Sequence, residues 1–272
     1  MSSFKVPWIY LSNGNGHSQL TITPTLEYVI GNNSLVVEIG KFLRVVELIS
    51  FRCAVRMDNG SYELITERNI QDAFEASLQE GLKLWGLSVN SLKNLLSGAN
   101  GCCCFLSGSF LLHSLERDFS NAGDIDLFVI PNIDCDGKCN DGLQSISALL
   151  EQQGYKQKVS DNNNEHSVYH YPLGFQVINY DRKVKGVARR IQVVISSNNL
   201  KPPQSIVREF DVNIVRLYCT YKLRCPIVDV TFKMIHILKR CFTFSAKHDN
   251  VSKSNARIAK YVSKGFRLLY VE

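Results

Sequence analysis

The chain has 272 residues, enough for one large domain or two small ones. Apolar residues make up 45% and charged residues 21%, an ordinary balance for a globular chain, and no apolar run approaches the ~18 residues of a membrane span. The formal net charge is +6, and the start, MSSFKVPWIY, has neither the basic segment nor the apolar run of a secretory signal, so a cytosolic protein with no membrane partner is expected.

The nine cysteines are an odd count in a chain without an export signal, which reads as reduced thiols rather than a disulfide framework. Cys102, Cys103 and Cys104 lie in an apolar run and are expected to pack in a strand. Cys135 and Cys139, with His166 and His170, have spacings that zinc permits, but their polar loops favour surface thiols.

Residues 1–65 are predicted to be a β-rich N-terminal extension. LTITPTLEYVI, SLVVEI and FLRVVELISFRCAVRM are dense in β-formers, and the Asp58-Asn59-Gly60 turn would close a hairpin. A helix is predicted from Thr66-Glu67 to about Leu84, with Ile70, Phe74, Leu78 and Leu82 as its apolar stripe, and a second from Val89 to Leu96. Cys102 to Ile130 reads as strand, Gly-Ser turn, short helix and strand. A helix from Leu143 to Gln153 follows, then strands at 155–159, 167–171, 175–180, 189–196 and 210–218, with a helical turn at 205–209. From about Val230 the chain is expected to be largely helical and basic. The order implies an α+β fold with a mixed sheet and flanking helices. Its expected units are the extension at 1–65, a core at 66–220 and a helical basic segment at 221–272.

The chemistry concentrates in Cys102 to Ile130. Alternation along a strand puts the Asp124 and Asp126 side chains on one face about 6–7 Å apart, with Ile125 on the other. Such a pair repels itself unless a cation lies between, and a hard divalent cation suits two carboxylates. Gly108-Ser109 begins a helix, where free backbone N–H groups can hold a phosphate. Neither a dinucleotide-binding G-x-G-x-x-G nor a Walker A loop is present.

This S-G-S-F turn followed by G-D-I-D-L-F-V resembles the nucleotidyltransferase superfamily, the polymerase-beta-like fold, over roughly residues 89–220, and looks like virus-encoded members of it. The resemblance implies metal-dependent transfer of a nucleotide from an NTP to a nucleic acid, a protein or a small molecule. Asp124, Asp126 and a third carboxylate would be the catalytic residues and the ligands of Mg²⁺ (or Mn²⁺), and Gly108 and Ser109 would bind the nucleotide's phosphates. Asp211 is the preferred third carboxylate and Asp181 the runner-up. The alternative is a catalytically inactive protein of this fold with a structural or nucleic-acid-binding role.

In ARIAKYVSKGFRL, spacings of three and four put Arg257, Lys260, Tyr261 and Lys264 on one helical face. Cations with an interleaved Tyr suit phosphate contact and base stacking, so this face is the expected contact for RNA or DNA, with a merely solvated basic helix as the other reading. The sequence carries no signal of oligomeric state.

Overall fold

A computed structural model describes residues 43–49, 67–97, 102–120, 122–130, 140–158, 175–196, 202–222, 225–230, 235–245 and 251–271. Two helices open the main body, α1 (Glu67–Leu84) and α2 (Val89–Leu96). The α1 stripe is formed as predicted, with Phe74, Leu78 and Leu82 buried, and Ser88 caps α2 by accepting from the Ser91 N–H at 3.0 Å.

Next come β1 (Cys103–Ser107), α3 (Ser109–Glu116), β2 (Ile125–Ile130), α4 (Asn140–Gln152) and the two-residue β3 (Lys156–Gln157). A long hairpin follows, β4 (Phe175–Val184) and β5 (Val187–Ser196), then α5 (Pro203–Arg208), a 3₁₀ turn at Asn213–Val215, β6 (Leu217–Lys222) and β7 (Cys225–Val230). The chain continues through α6 (Ile235–Leu238), β8 (Cys241–Phe244), α7 (Val251–Ser263) and β9 (Arg267–Val271).

The described strands form a mixed seven-stranded sheet in the order β3-β4-β5-β2-β1-β6-β7, and a separate pair, β8-β9. β2 and β5 run parallel, and the other neighbours in the large sheet are antiparallel. Helices flank the sheet, so the mixed α/β character expected from the element order is present. Its larger core joins Ile125, Leu127 and Val129 of β2 to Leu78 of α1, Leu111 of α3 and Trp85 just after α1. On the opposite face Phe105, Phe128, Ile130 and Val194 pack under Ile206 and Val207 of α5. The alternation along β2, buried on both faces beyond Asp126, explains its nearly unbroken apolar run. Among the described residues no helix is long and apolar enough to cross a membrane.

Three parts of the sequence reading change. Val45–Ile49, taken as part of a β-rich extension, is helical. Val45 and Val46 join the main core, and Leu48 packs against Ile70 and Ala73 of α1, so burial at helical spacing outweighs the strand preference of the β-branched residues. The rest of that extension, including the hairpin through Asp58-Asn59-Gly60, lies outside the described residues, as do the strand at 167–171 and the Cys135, Cys139, His166 and His170 set.

The strand expected over 210–218 starts only at Leu217. Before it the chain makes a 3₁₀ turn at Asn213–Val215, and the Asn213 side chain accepts from the Thr243 N–H at 2.8 Å and contacts the His236 ring, so long-range bonds tie this turn to β8 and α6. The basic C-terminal part is not simply helical, since β8 and β9 pair in parallel across α7.

Candidate functional site

Gly108 sits between β1 and α3 with φ +85°, a conformation that side chains disfavour. A Cβ there would collide with the Asp126 carboxylate, so only glycine lets that acid lie against the start of α3. Ser109, the first residue of α3, is buried beside it. Gly108, Ser109 and Asp126 are therefore brought together, as the motif requires. Asp126 is directly opposite Ser107 in the β1–β2 pairing, and the Ser107 hydroxyl donates to the Leu217 carbonyl at 2.6 Å, which fixes β1 against β6.

The register carries this polar position across the sheet. Asn179 of β4 opposes Gln192 of β5, Gln192 opposes Asp126, Asp126 opposes Ser107, and Ser107 opposes Tyr218 of β6. Opposed residues share a face. One step toward the interior the same face holds Val177, Val194, Phe128 and Phe105, with the Phe105 and Phe128 rings stacked at 5.0 Å. The row is thus a polar shelf on an apolar floor. Gln192 donates to Asn179 at 3.1 Å within it.

Asp124 lies one residue before the first β2–β5 pair, Ile125 and Ile191, and so comes level with Arg190. Burial raises the Asp124 pKa, while Arg190 and Lys260 pull it down and Asp181 pushes it up. Asp181 and Arg190 are opposed in the hairpin and joined by two contacts, at 2.8 and 3.2 Å. Asp181, the runner-up third carboxylate, is therefore in the electrostatic neighbourhood of Asp124 with Arg190 as its partner.

Asp211 has a different setting. It precedes the 3₁₀ turn rather than starting a strand. Its buried carboxylate pairs with Arg257 Nη2 at 3.0 Å and accepts from the Val212 N–H at 2.9 Å. Among the described residues no three of His, Cys, Asp and Glu stand together as a metal-holding group. The carboxylate pair has the hard oxygen donors a divalent cation prefers, and the Gly108 cradle keeps one of them at the helix start, so the residues fit such an ion in kind.

The α7 face forms with the predicted spacing but is turned inward. Arg257 meets Asp211, Lys260 acts on Asp124, and Lys264 Nζ donates to His113 Nε2 at 2.9 Å. Tyr261 is buried, its ring 5.8 Å from Phe242, and offers no face to a base. The stacking role expected of Tyr261 is thus not available in this fold, because packing β8 and β9 against α7 consumes that side of the helix. Burial together with Lys264 holds His113 down to about 4, and burial together with Lys260 holds Lys264 down to about 8.

Sequence reasoning missed Arg190, Gln192 and Asn179. The signal was present in RRIQVVIS, where Arg190 and Gln192 alternate on an otherwise apolar strand. Cys104, by contrast, is packing as expected: burial pushes its thiol up to about 12, which leaves no thiolate for chemistry. Comparison with protein-family models and with curated protein sequences found no match to the chain.

Proposed function

We propose that the chain is a metal-dependent nucleotidyltransferase that moves a nucleotide from an NTP to an acceptor. The observation that carries this reading is the Asp126 carboxylate lying against Gly108 at the first turn of α3, with Asp124 immediately before β2. A nucleotidyltransferase-like arrangement of β1, α3 and β2 is part of the proposal.

Asp124 and Asp126 would hold Mg²⁺ or Mn²⁺, which when bound neutralises triphosphate charge. The chain's own residues then have distinct tasks. The N–H groups at the start of α3 orient phosphate oxygens, aided by the positive end of the helix. Lys260 adds a cation on the Asp124 side, and Arg190 holds Asp181 in place. The apolar floor of Phe105 and Phe128 supports the shelf from below.

A second reading, binding of a metal–nucleotide complex without transfer, has its own support. Asp211 is committed to Arg257, and the residue that opposes Asp126 on the parallel strand β5 is Gln192, which cannot act as a base or an anionic ligand. The test is incubation with labelled NTPs, Mg²⁺ or Mn²⁺, and RNA, DNA or protein acceptors, alongside Asp124→Ala/Asp126→Ala. Incorporation by the natural chain that is lost in the double variant supports transfer. Metal-dependent NTP binding without incorporation, again lost in the double variant, supports the second reading. Neither activity in the natural chain overturns both.

A further inference from the structure

Among the described residues an outward-facing basic surface lies at the β3–β4–β5 edge. Among the described C-terminal residues, Arg240 pairs with Glu116 at 3.1 Å, Arg257 with Asp211, and Lys264 with His113, while Lys239 and Arg267 are exposed. Along the β3–β4–β5 edge Lys156, Lys158, Lys183 and Lys185 are all exposed. Residues 153–158 and 181–190 together hold seven Lys and Arg residues and a single acid, Asp181.

The topology aims this surface at the candidate site. β2 pairs with β5 only from Ile191 onward, so Val187–Arg190 and their β4 partners continue past the end of the sheet at which Asp124 lies. The ribbon tip at Lys185-Gly186, with φ of 49° and 82°, is a tight two-residue turn roughly 13 Å beyond that point. Arg182 and Arg189, opposed in the ribbon, pack on the other face over Tyr155 and Trp85, the Arg189 guanidinium 4.5 Å from the Trp85 ring. They brace the ribbon, with Arg182 Nη1 also donating to the Gly86 carbonyl at 3.1 Å.

On the site face the rows are continuous. Lys156 opposes Asp181, Asp181 opposes Arg190, and Arg190 is level with Asp124. The backbone N–H of Lys158 donates to the Asn179 carbonyl, which places Lys158 beside the Asn179–Gln192–Asp126 row. Lys156 and Lys158, in and just after β3, are about 6.6 Å apart along extended backbone, a spacing that suits successive charges on a polyanion.

We propose that the β3–β4–β5 edge binds the sugar–phosphate backbone of a nucleic-acid strand and leads its end toward Asp124 and Asp126. The direction of the strand rests on the nucleotidyl-transfer reading, whereas the binding surface does not. A membrane surface fits less well, because among the described residues of the ribbon the only large apolar side chain exposed is Val187. Exposed lysines flanked by amide side chains are instead a sequence-tolerant means of tracking phosphates.

The test uses the full chain without nucleotide or metal. Fluorescein-labelled 20-nucleotide single strands, one RNA and one DNA, are titrated by anisotropy across salt concentrations. The comparison is with Lys156→Gln/Lys158→Gln/Lys183→Gln/Lys185→Gln, whose fold is checked by circular dichroism and thermal melting. Expected are a loss of at least tenfold in affinity at low salt and a salt slope shallower by about 2–3, since each backbone contact contributes ~0.7. Asp124→Asn/Asp126→Asn is expected to retain oligonucleotide binding while losing metal–NTP binding, which separates the two proposals. Unchanged affinity in the quadruple variant, or no binding by the natural chain at low salt, overturns the interface. So does capture of phosphatidylserine vesicles, but not oligonucleotides, through the same four lysines.

Discussion

The Asp126 carboxylate lies where a side chain on residue 108 would have to be, so Gly108 and Asp126 are mutually dependent. Gly108→Ala is expected to cost about 1–3 kcal/mol from the positive φ alone, with more from the displaced carboxylate. Chemical denaturation reads the stability loss. A matching loss of metal–NTP binding beyond what unfolding explains identifies the cradle as functional, while intact binding assigns Gly108 to the fold alone.

Asp124 is half-buried in a place that works against its charge. Because its folded pKa is raised, its contribution to stability is present at low pH and lost as pH rises through the carboxylate range. At neutral pH, Asp124→Asn should therefore raise the melting temperature while removing metal-dependent nucleotide binding. A lowered melting temperature would mean that Arg190 and Lys260 outweigh the burial cost.

The Asp211–Arg257 pair ties the turn before β6 to α7. Removing one partner strands the other in a largely buried place, so Asp211→Ala is expected to destabilise by about 3 kcal/mol. Asp211→Asn with Arg257→Met should recover part of that loss. Urea unfolding of the single and double variants measures the coupling. A structural anchor shows strong coupling with metal–NTP binding retained in the double variant. Loss of that binding without coupling returns Asp211 to the role of third carboxylate.

The His113–Lys264 contact gives a pH dependence with a definite sign. The folded pKa of His113 is about 4 against an ordinary 6.5, and that of Lys264 about 8 against 10.5. In both windows the unfolded chain binds more protons, so stability rises with pH between about 4 and 6.5 and again between about 8 and 10.5. Lys264→Met should flatten the upper window and ease the lower one. Denaturation midpoints measured from pH 4 to 10 check this. A stability that falls across the lower window would contradict the buried, neutral imidazole.

The sequence carried the β1–α3–β2 unit well, because strand alternation and the Gly-Ser helix start are local signals. It placed Asp124 and Asp126 on one strand face; in the structure Asp126 lies in β2, and Asp124 comes just before the strand begins. What it did not carry is pairing between distant segments. That β5 lies parallel to β2 with Gln192 opposite Asp126 depends on topology, and so does the inward turn of the α7 face. The spacing of Arg257, Lys260 and Lys264 was legible, but whether that face met solvent or Asp211, Asp124 and His113 was decided by the packing of β8 and β9 around it. The helical turn at Val45–Ile49 was hidden for a similar reason, since burial of its β-branched Val45 and Val46 in the main core is a long-range contact.

The central claim is that Asp124 and Asp126 form a metal–nucleotide site against the start of α3. The most direct measurement is the electron paramagnetic resonance signal of free Mn²⁺, titrated with protein in the presence of ATP, for the natural chain and for Asp126→Asn. The account predicts that the natural chain depletes the free Mn²⁺ signal only when ATP is present, and that Asp126→Asn leaves it at the protein-free level. Equal depletion by both proteins, or none by the natural chain, would contradict it.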